Sequence, residues 1–217
     1  DIGCYTLGCA APLNCMDSVV CMGAGFSAGM GIAKSFEKEG VTGKVVFGVV
    51  GDSTFFHSGM TGAAEIVYNK GRMIPCVLDN RITGMTGHQD NPGTGYTLQG
   101  DPTALLSVEK ILTALGFAPV LTVDPQDLKA MKAAVDQAVS ALDAGQQPAI
   151  VTRRPCLLIK RDKFRKGKCR SCRSCLKVGC PAISLENGKA VIDRTQCVGC
   201  TVCAQVCPFD AIEKEEK

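Results

Sequence analysis

Two stretches, Lys44–Ser53 (KVVFGVVGDS) and Met73–Asn80 (MIPCVLDN), decide the fold class. Each is a nearly continuous apolar run without the apolar–polar alternation of a half-wetted strand. That is the pattern of strands buried on both faces of a parallel sheet. Each stops on polar residues, Gly51-Asp52-Ser53 in the first and Asn80 in the second. Ligands of open parallel sheets bind beyond the C-terminal strand ends, so these two tips are the first place to look for a site.

Outward from these strands, helices are expected over 18–39, 58–69, 103–115 and 125–144, with further strands over 117–123 and 149–152. The last helix has Leu128, Met131, Val135 and Val139 at helical spacing, and the first is rich in Gly and Ala, which permits close backbone approach. Strands alternating with helices predict an α/β parallel-sheet domain over 1–155. The glycine-rich stretch 81–100 reads as a long loop, and a loop of that length in a compact domain is usually functional.

The chain has 217 residues, 46% of them hydrophobic, but no apolar run approaches the ~20 residues of a membrane helix. No signal-peptide pattern opens it, and a start at Asp1 suggests a piece of something longer. Of 14 cysteines, eight fall within Cys169–Cys207, which points to metal ligation in a reducing, cytoplasmic and anaerobic setting rather than to disulfides. From Arg153 to Arg170 nine basic residues stand against the single acid Asp162, a local charge of +8. With no interleaved aromatic residue apart from Phe164 this reads as a basic linker over 156–167 and not as a nucleic-acid surface.

The C-terminal part, 168–217, contains a repeat. Cys169, Cys172 and Cys175 are followed by Cys180-Pro181, and Cys197, Cys200 and Cys203 by Cys207-Pro208, offset by 28 residues. Two-residue spacing aims three thiolates at one centre. The fourth ligand comes from the other motif's Cys-Pro in two-cluster ferredoxins. One 4Fe-4S cluster therefore takes Cys169, Cys172, Cys175 and Cys207, and the second takes Cys197, Cys200, Cys203 and Cys180. Zinc is the alternative for C-x2-C pairs, but it needs two pairs, not two triplets each with a distal Cys-Pro. This stretch resembles the bacterial two-cluster ferredoxins, small α+β domains that transfer electrons.

Asp52 and Asn80, with 27 residues between them, could hold a hard cation such as Mg2+ at adjacent strand tips, bridging to a diphosphate. The segments GDSTFFHSGMTG (51–62) and LDNRITGMTGHQDNPGTG (78–95) resemble the diphosphate-binding module of thiamine-diphosphate enzymes, most closely the 2-oxoacid:ferredoxin oxidoreductases. DIGCYTLG (1–8) resembles the large-subunit sequences of that family's indolepyruvate branch, which end in such a ferredoxin domain.

The resemblance implies Mg2+ on Asp52, Asn80 and the carbonyl of Ile82, with Gly51, Ser53, Thr54 and Thr86 near the diphosphate, and Cys4 close to the cofactor's reactive ring. His57 and His88 adjoin the motifs; a structural role is the default, and His88 is the better active-site candidate. Cys9, Cys15 and Cys21 read as small buried residues, and Cys76 and Cys156 as core or boundary positions. The implied activity is oxidative decarboxylation of an arylpyruvate, with coenzyme A taking the acyl group and the clusters passing electrons to ferredoxin. Pyruvate or 2-oxoglutarate as substrate, or a non-catalytic electron-transfer subunit, are the alternatives. The module whose Glu activates thiamine is not found in the chain, and Glu65 is no substitute. A hetero-oligomer with that module and a second (beta) subunit is therefore expected.

Overall fold

A computed structural model describes residues 1–97, 99–159, 164–166, 169–193, 196–197 and 199–214. They form two compact units, Asp1–Cys156 and Leu157–Lys217. No helix among the described residues is long and apolar enough to cross a membrane.

In the first unit the strands β1 (Val46–Gly51), β2 (Met73–Asp79), β3 (Val120–Val123) and β4 (Ala149–Arg153) make one parallel sheet in the order β1-β2-β4-β3. One face carries α1 (Ala24–Lys38), the helical run from α2 (Asp52–Thr54) into α3 (Met60–Tyr68), and α4 (Val108–Leu115). Between these layers lies a core of Phe26, Phe55, Ile66, Met73, Val77, Leu112, Phe117 and Val151. The other face carries α5 (Leu128–Asp143) over Ile74, Cys76, Ala138, Leu142 and Ile150. Fully burying residues of this size stabilises by about 1.5–3 kcal/mol each, which is what holds the layers together.

Several boundaries differ from the sequence reading, each for a local reason. The first helix begins at Ala24 and not at residue 18, because Gly23 takes φ +86° and gives its N–H to Asp1 Oδ1 at 2.7 Å. The second starts directly at Asp52. It passes through a π-helical turn, Phe55–Gly59, into α3, so the Gly-Asp-Ser tip is a helix N-terminus and not a loop. Residues 103–107 are not helical: Thr103 N–H donates to Gly95 O and Leu106 N–H to Pro92 O, both at 2.9 Å. Helix α4 starts instead where the Ser107 hydroxyl accepts from Lys110 N–H at 3.2 Å.

Helix α1 sits tight on β1 because glycines face the contact. A Cβ on Gly25 would lie 2.0 Å from Val49 O, and one on Gly48 2.6 Å from Gly25 O.

The second unit contains a hairpin of β6 (Ile183–Glu186) and β7 (Lys189–Ile192) turning at Asn187-Gly188, both with positive φ, as a two-residue hairpin turn requires. β5 (Phe164–Lys166) pairs with β8 (Ile212–Lys214), so part of the stretch read as linker is a strand of this unit. Lys160, Arg161, Lys163 and Lys168 of the basic run lie outside the described residues.

The glycine contacts give a two-sided test on one helix. Gly25→Ala should destabilise the chain by about 1–3 kcal/mol, since the helix must lift off β1. Gly31→Ala, whose Cβ would meet nothing within 4 Å, should stabilise by up to about 1 kcal/mol. Denaturant midpoints of the two variants check the opposite signs.

Candidate functional site

At the C-terminal strand ends lies a cavity of about 350 Å3. Gly51, Asp52, Ser53, Thr54, Asn80, Ile82, Thr86 and Cys4 all line it. His88 does not: it is exposed, with φ +64°, in the loop where Thr83 and Gln89 bridge. His57 is also exposed, on the π-helical turn. Cys9, Cys15 and Cys21 are exposed rather than buried; Cys76 is in the core and Cys156 half-buried. Glu65 is exposed on α3, next to Asn69.

Two carboxylates stand at neighbouring strand tips, Asp52 at 3% exposure and Asp79 at 4%. Asp79 is fully paired. Its Oδ2 accepts from Arg153 Nε at 2.8 Å, and its Oδ1 accepts from Arg81 N–H at 3.2 Å and faces Arg81 Nε at 3.4 Å. Arg153 also reaches Glu109, whose carboxylate accepts from the Ser107 hydroxyl at 2.7 Å and the Thr122 hydroxyl at 3.2 Å. Burial alone would push the Glu109 carboxyl up, but Ser107 and the Arg153 cation hold it below its usual range.

Among the described residues Asp52 has no such cation. Its Oδ1 accepts from Ser53 N–H at 2.7 Å and its Oδ2 from Asn91 Nδ2 at a long 3.4 Å. Burial, with the Asp79 charge adding, pushes its carboxyl from 3.8 up to about 6. A buried carboxylate facing a cavity, beside the Asn80 side chain and the Ile82 backbone, is a donor set of oxygens suited to Mg2+. The tip of β1 is held from the other side by Asp1, whose Oδ2 accepts from Gly51 N–H at 3.0 Å and from the Tyr5 hydroxyl. Burial pushes the Tyr5 phenol up to about 12.

The sequence reading missed Asp1, Tyr5, Asn91, Arg81 and Glu109, and counted Arg153 and Arg154 only as the start of a basic run at the domain junction. Both arginines are instead the end of β4 and its continuation, paired with acids of this unit. The Asn91-Pro92-Gly93 turn was the one available signal for Asn91, which also accepts from Gly93 N–H at 2.8 Å.

In the second unit the repeat is visible in the backbone. Ser171 and Arg173 have φ +58° and +62°, and their counterparts 28 residues on, Gly199 and Thr201, have +68° and +67°. These left-handed turns fold each C-x2-C-x2-C run back on itself and free N–H groups for sulfur. Ser171 N–H donates to Cys169 Sγ at 3.5 Å, and Ala211 N–H to Cys207 Sγ at 3.3 Å.

The thiols fall into two crossed sets. Cys175 is pushed up by burial and by the nearby Cys169, Cys172 and Cys207. Cys203 is pushed up by burial and by Cys200, Cys197 and Cys180. Cys172 is pulled down by hydrogen bonds from the Ser174 N–H and hydroxyl. Among the described residues no three His, Cys, Asp or Glu groups converge as a single-ion site requires. Two triplets, each grouped with the distal Cys-Pro of the other motif, suit a multi-iron cluster, where each thiol binds its own iron, better than one tetrahedral zinc.

With this geometry in place the comparisons with known proteins are decisive about class. Residues 1–152 match the thiamine pyrophosphate enzyme C-terminal TPP-binding domain, and the chain belongs to that family; residues 190–213 match the 4Fe-4S binding domain. It therefore carries a thiamine diphosphate site and iron–sulfur clusters. Among curated proteins it is similar to the indolepyruvate oxidoreductase subunit IorA of Thermococcus kodakarensis, 39% identical over 98% of this chain, and of Pyrococcus abyssi, 38% over 99%. The chain spans 36% of the length of each of these relatives. A solved 2-oxoglutarate:ferredoxin oxidoreductase from Magnetococcus marinus shares the fold, with a TM-score of 0.51 at 16% identity over 64% of this chain and 47% of that one.

The raised Asp52 carboxyl gives a signed prediction. A folded-state value of about 6 against 3.8 means that ionised Asp52 opposes folding of the cofactor-free chain above that range. Stability should fall as pH rises from about 4 to about 6, by on the order of 3 kcal/mol. Asp52→Asn should remove that slope and raise the cofactor-free melting temperature at pH 8, while abolishing the rise that thiamine diphosphate with Mg2+ gives the wild type. Thermal melts across pH check both signs.

The crossed thiol sets predict that Cys207→Ala removes the cluster on Cys169, Cys172 and Cys175, leaving about four irons per chain instead of eight. Iron analysis and cluster absorbance of anaerobically purified protein measure this. Retention of about eight irons would contradict the crossed pairing.

Proposed function

We propose that this chain is the thiamine-diphosphate-binding and electron-exit part of an enzyme that oxidatively decarboxylates arylpyruvates of the indolepyruvate type. The observation that carries this reading is the joining of a thiamine diphosphate domain and an eight-cysteine iron–sulfur unit in one chain. A simple decarboxylase needs no electron acceptor. A chain holding one-electron acceptors as well as a thiamine site points to oxidation. The reaction balances as 2-oxoacid plus coenzyme A giving acyl-CoA, carbon dioxide, a proton and two electrons. The electrons leave one at a time to ferredoxin. Similarity to proteins named indolepyruvate oxidoreductase supports the aryl substrate.

In this reading thiamine diphosphate supplies the carbon nucleophile and electron sink for decarboxylation. Asp52, Asn80 and the Ile82 carbonyl hold Mg2+. Ser53 and Thr54, at the start of the helix that follows β1, offer N–H groups to the diphosphate, and Thr86 offers its hydroxyl. Gly51 keeps the strand tip narrow, and Cys4 lies toward the reactive ring. His88, outside the cavity, enters only if a partner module brings it to the substrate. Asp79, held by Arg81 and Arg153, fixes the backbone on which Asn80 and Ile82 stand. The thiamine-activating module and a beta subunit complete a hetero-oligomer.

The test is anaerobic purification with native partners, followed by assays with indolepyruvate, phenylpyruvate, pyruvate and 2-oxoglutarate, with and without coenzyme A. The expected result is the highest kcat/KM with the arylpyruvates, coenzyme A-dependent acyl-CoA formation, and no turnover by this chain alone. Preference for pyruvate or 2-oxoglutarate would reassign the substrate. No 2-oxoacid turnover by the complex would overturn the enzymatic reading.

A further inference from the structure

We propose that Arg154 is an oxyanion-binding residue of the cavity, donating to the diphosphate of the cofactor or to the carboxylate of the 2-oxoacid. This rests on the thiamine diphosphate reading of that cavity.

Arg154 is the sole Lys, Arg or His among the described residues lining the cavity, where Asp52 and Asp79 also stand. Its backbone is fixed beside the cation-binding strand tip. Arg154 N–H donates to Asp79 O at 3.0 Å, and Cys156 N–H donates to Asn80 O at 2.7 Å, so the chain beyond β4 continues alongside β2. The root of the guanidinium is thus set one strand away from Asn80.

Its side chain is only partly engaged. Nη1 donates to Asp124 Oδ2 at 2.5 Å, while Nε is buried with no hydrogen-bond partner among the described residues. The adjacent Arg153 has no such vacancy, since its Nε and Nη2 are taken by Asp79 and Glu109. Nε is closed off from the open cavity, so the donors an anion can reach there are those of the partly exposed guanidinium tip. The planar guanidinium matches phosphate and carboxylate oxygens, the two anions this cavity must receive. Gln126 Oε1 is also buried without a partner. It is an acceptor, and its pairing with Nε would make Arg154 structural.

The experiment uses the complex purified with its native partners and the variants Arg154→Gln, Arg154→Lys and Asp124→Asn. Calorimetry measures thiamine diphosphate with Mg2+ and, separately, thiamine. Steady-state kinetics measure KM and kcat for indolepyruvate, and thermal melts report stability.

If the diphosphate is the ligand, Arg154→Gln weakens thiamine diphosphate roughly ten- to a hundredfold and leaves thiamine unchanged. If the carboxylate is the ligand, cofactor affinity holds and KM for indolepyruvate rises by a similar factor with kcat less affected. In either case Arg154→Lys recovers part of the loss, and Asp124→Asn, which keeps the guanidinium, stays near wild type. A lowered melting temperature with unchanged affinities and KM would overturn the proposal. So would losses of binding in Asp124→Asn equal to those in Arg154→Gln, because the ion pair alone would then account for them. A wild-type complex that binds no thiamine diphosphate would overturn the cofactor reading itself, and this inference with it.

Discussion

Asp52 and Asp79 are buried carboxylates at the tips of adjacent parallel strands, and the unit is organised around neutralising them. An ionised group in a low-dielectric setting is costly unless a cation or several donors face it. For Asp79 the chain supplies the answer itself, through Arg153 from β4 and Arg81 from the loop after β2. Glu109 from α4 then balances Arg153. This network ties three elements together beside Asn80. For Asp52 the described residues supply hydrogen bonds and no cation: a short one from Ser53 N–H, a long one from Asn91 and a weak one from the Arg81 backbone. The residual penalty is what a divalent cation would relieve, so the cofactor-free fold is less stable at this point than its contacts allow.

How much of this could be read from the sequence varied with the physics involved. Strand β2 was placed residue for residue, because a central parallel strand is apolar on both sides and its ends are marked by polarity alone. The helix after β1 was placed too late. Its first turn, Asp52-Ser53-Thr54, has the composition of a turn, and the π-helical step at Phe55–Gly59 breaks the 3.6-residue period that betrays helices. Residues 103–107 have helical composition but spend N–H groups on the 91–97 loop, a tertiary demand that no local pattern records.

The site divides in the same way. Asp52, Asn80 and the thiols were legible because their spacing is tied to a strand tip or a metal centre. Asn91 acts through one long-range hydrogen bond to Asp52 and Asp1 through two, from Gly23 and Gly51, while Arg153 and Arg154 were hidden in a run of like charge. Charge runs tell how many cations there are but not which acids face them. The partner of Arg153 lies 74 residues away in sequence, and that of Arg154 lies 30.

The second unit meets a different constraint. Eight thiols must be gathered without a large core, and the backbone does this with paired left-handed turns at Ser171, Arg173, Gly199 and Thr201. Non-glycine residues there carry strain, and cluster binding is the natural compensation. In the proposed reaction the two units serve one electron path. The most direct measurement is electron paramagnetic resonance on the anaerobic complex, given one equivalent of arylpyruvate and coenzyme A with no external acceptor. The account predicts reduced-cluster signals that depend on thiamine diphosphate with Mg2+ and vanish in Asp52→Ala. Acyl-CoA formed while the clusters stay oxidised would contradict it.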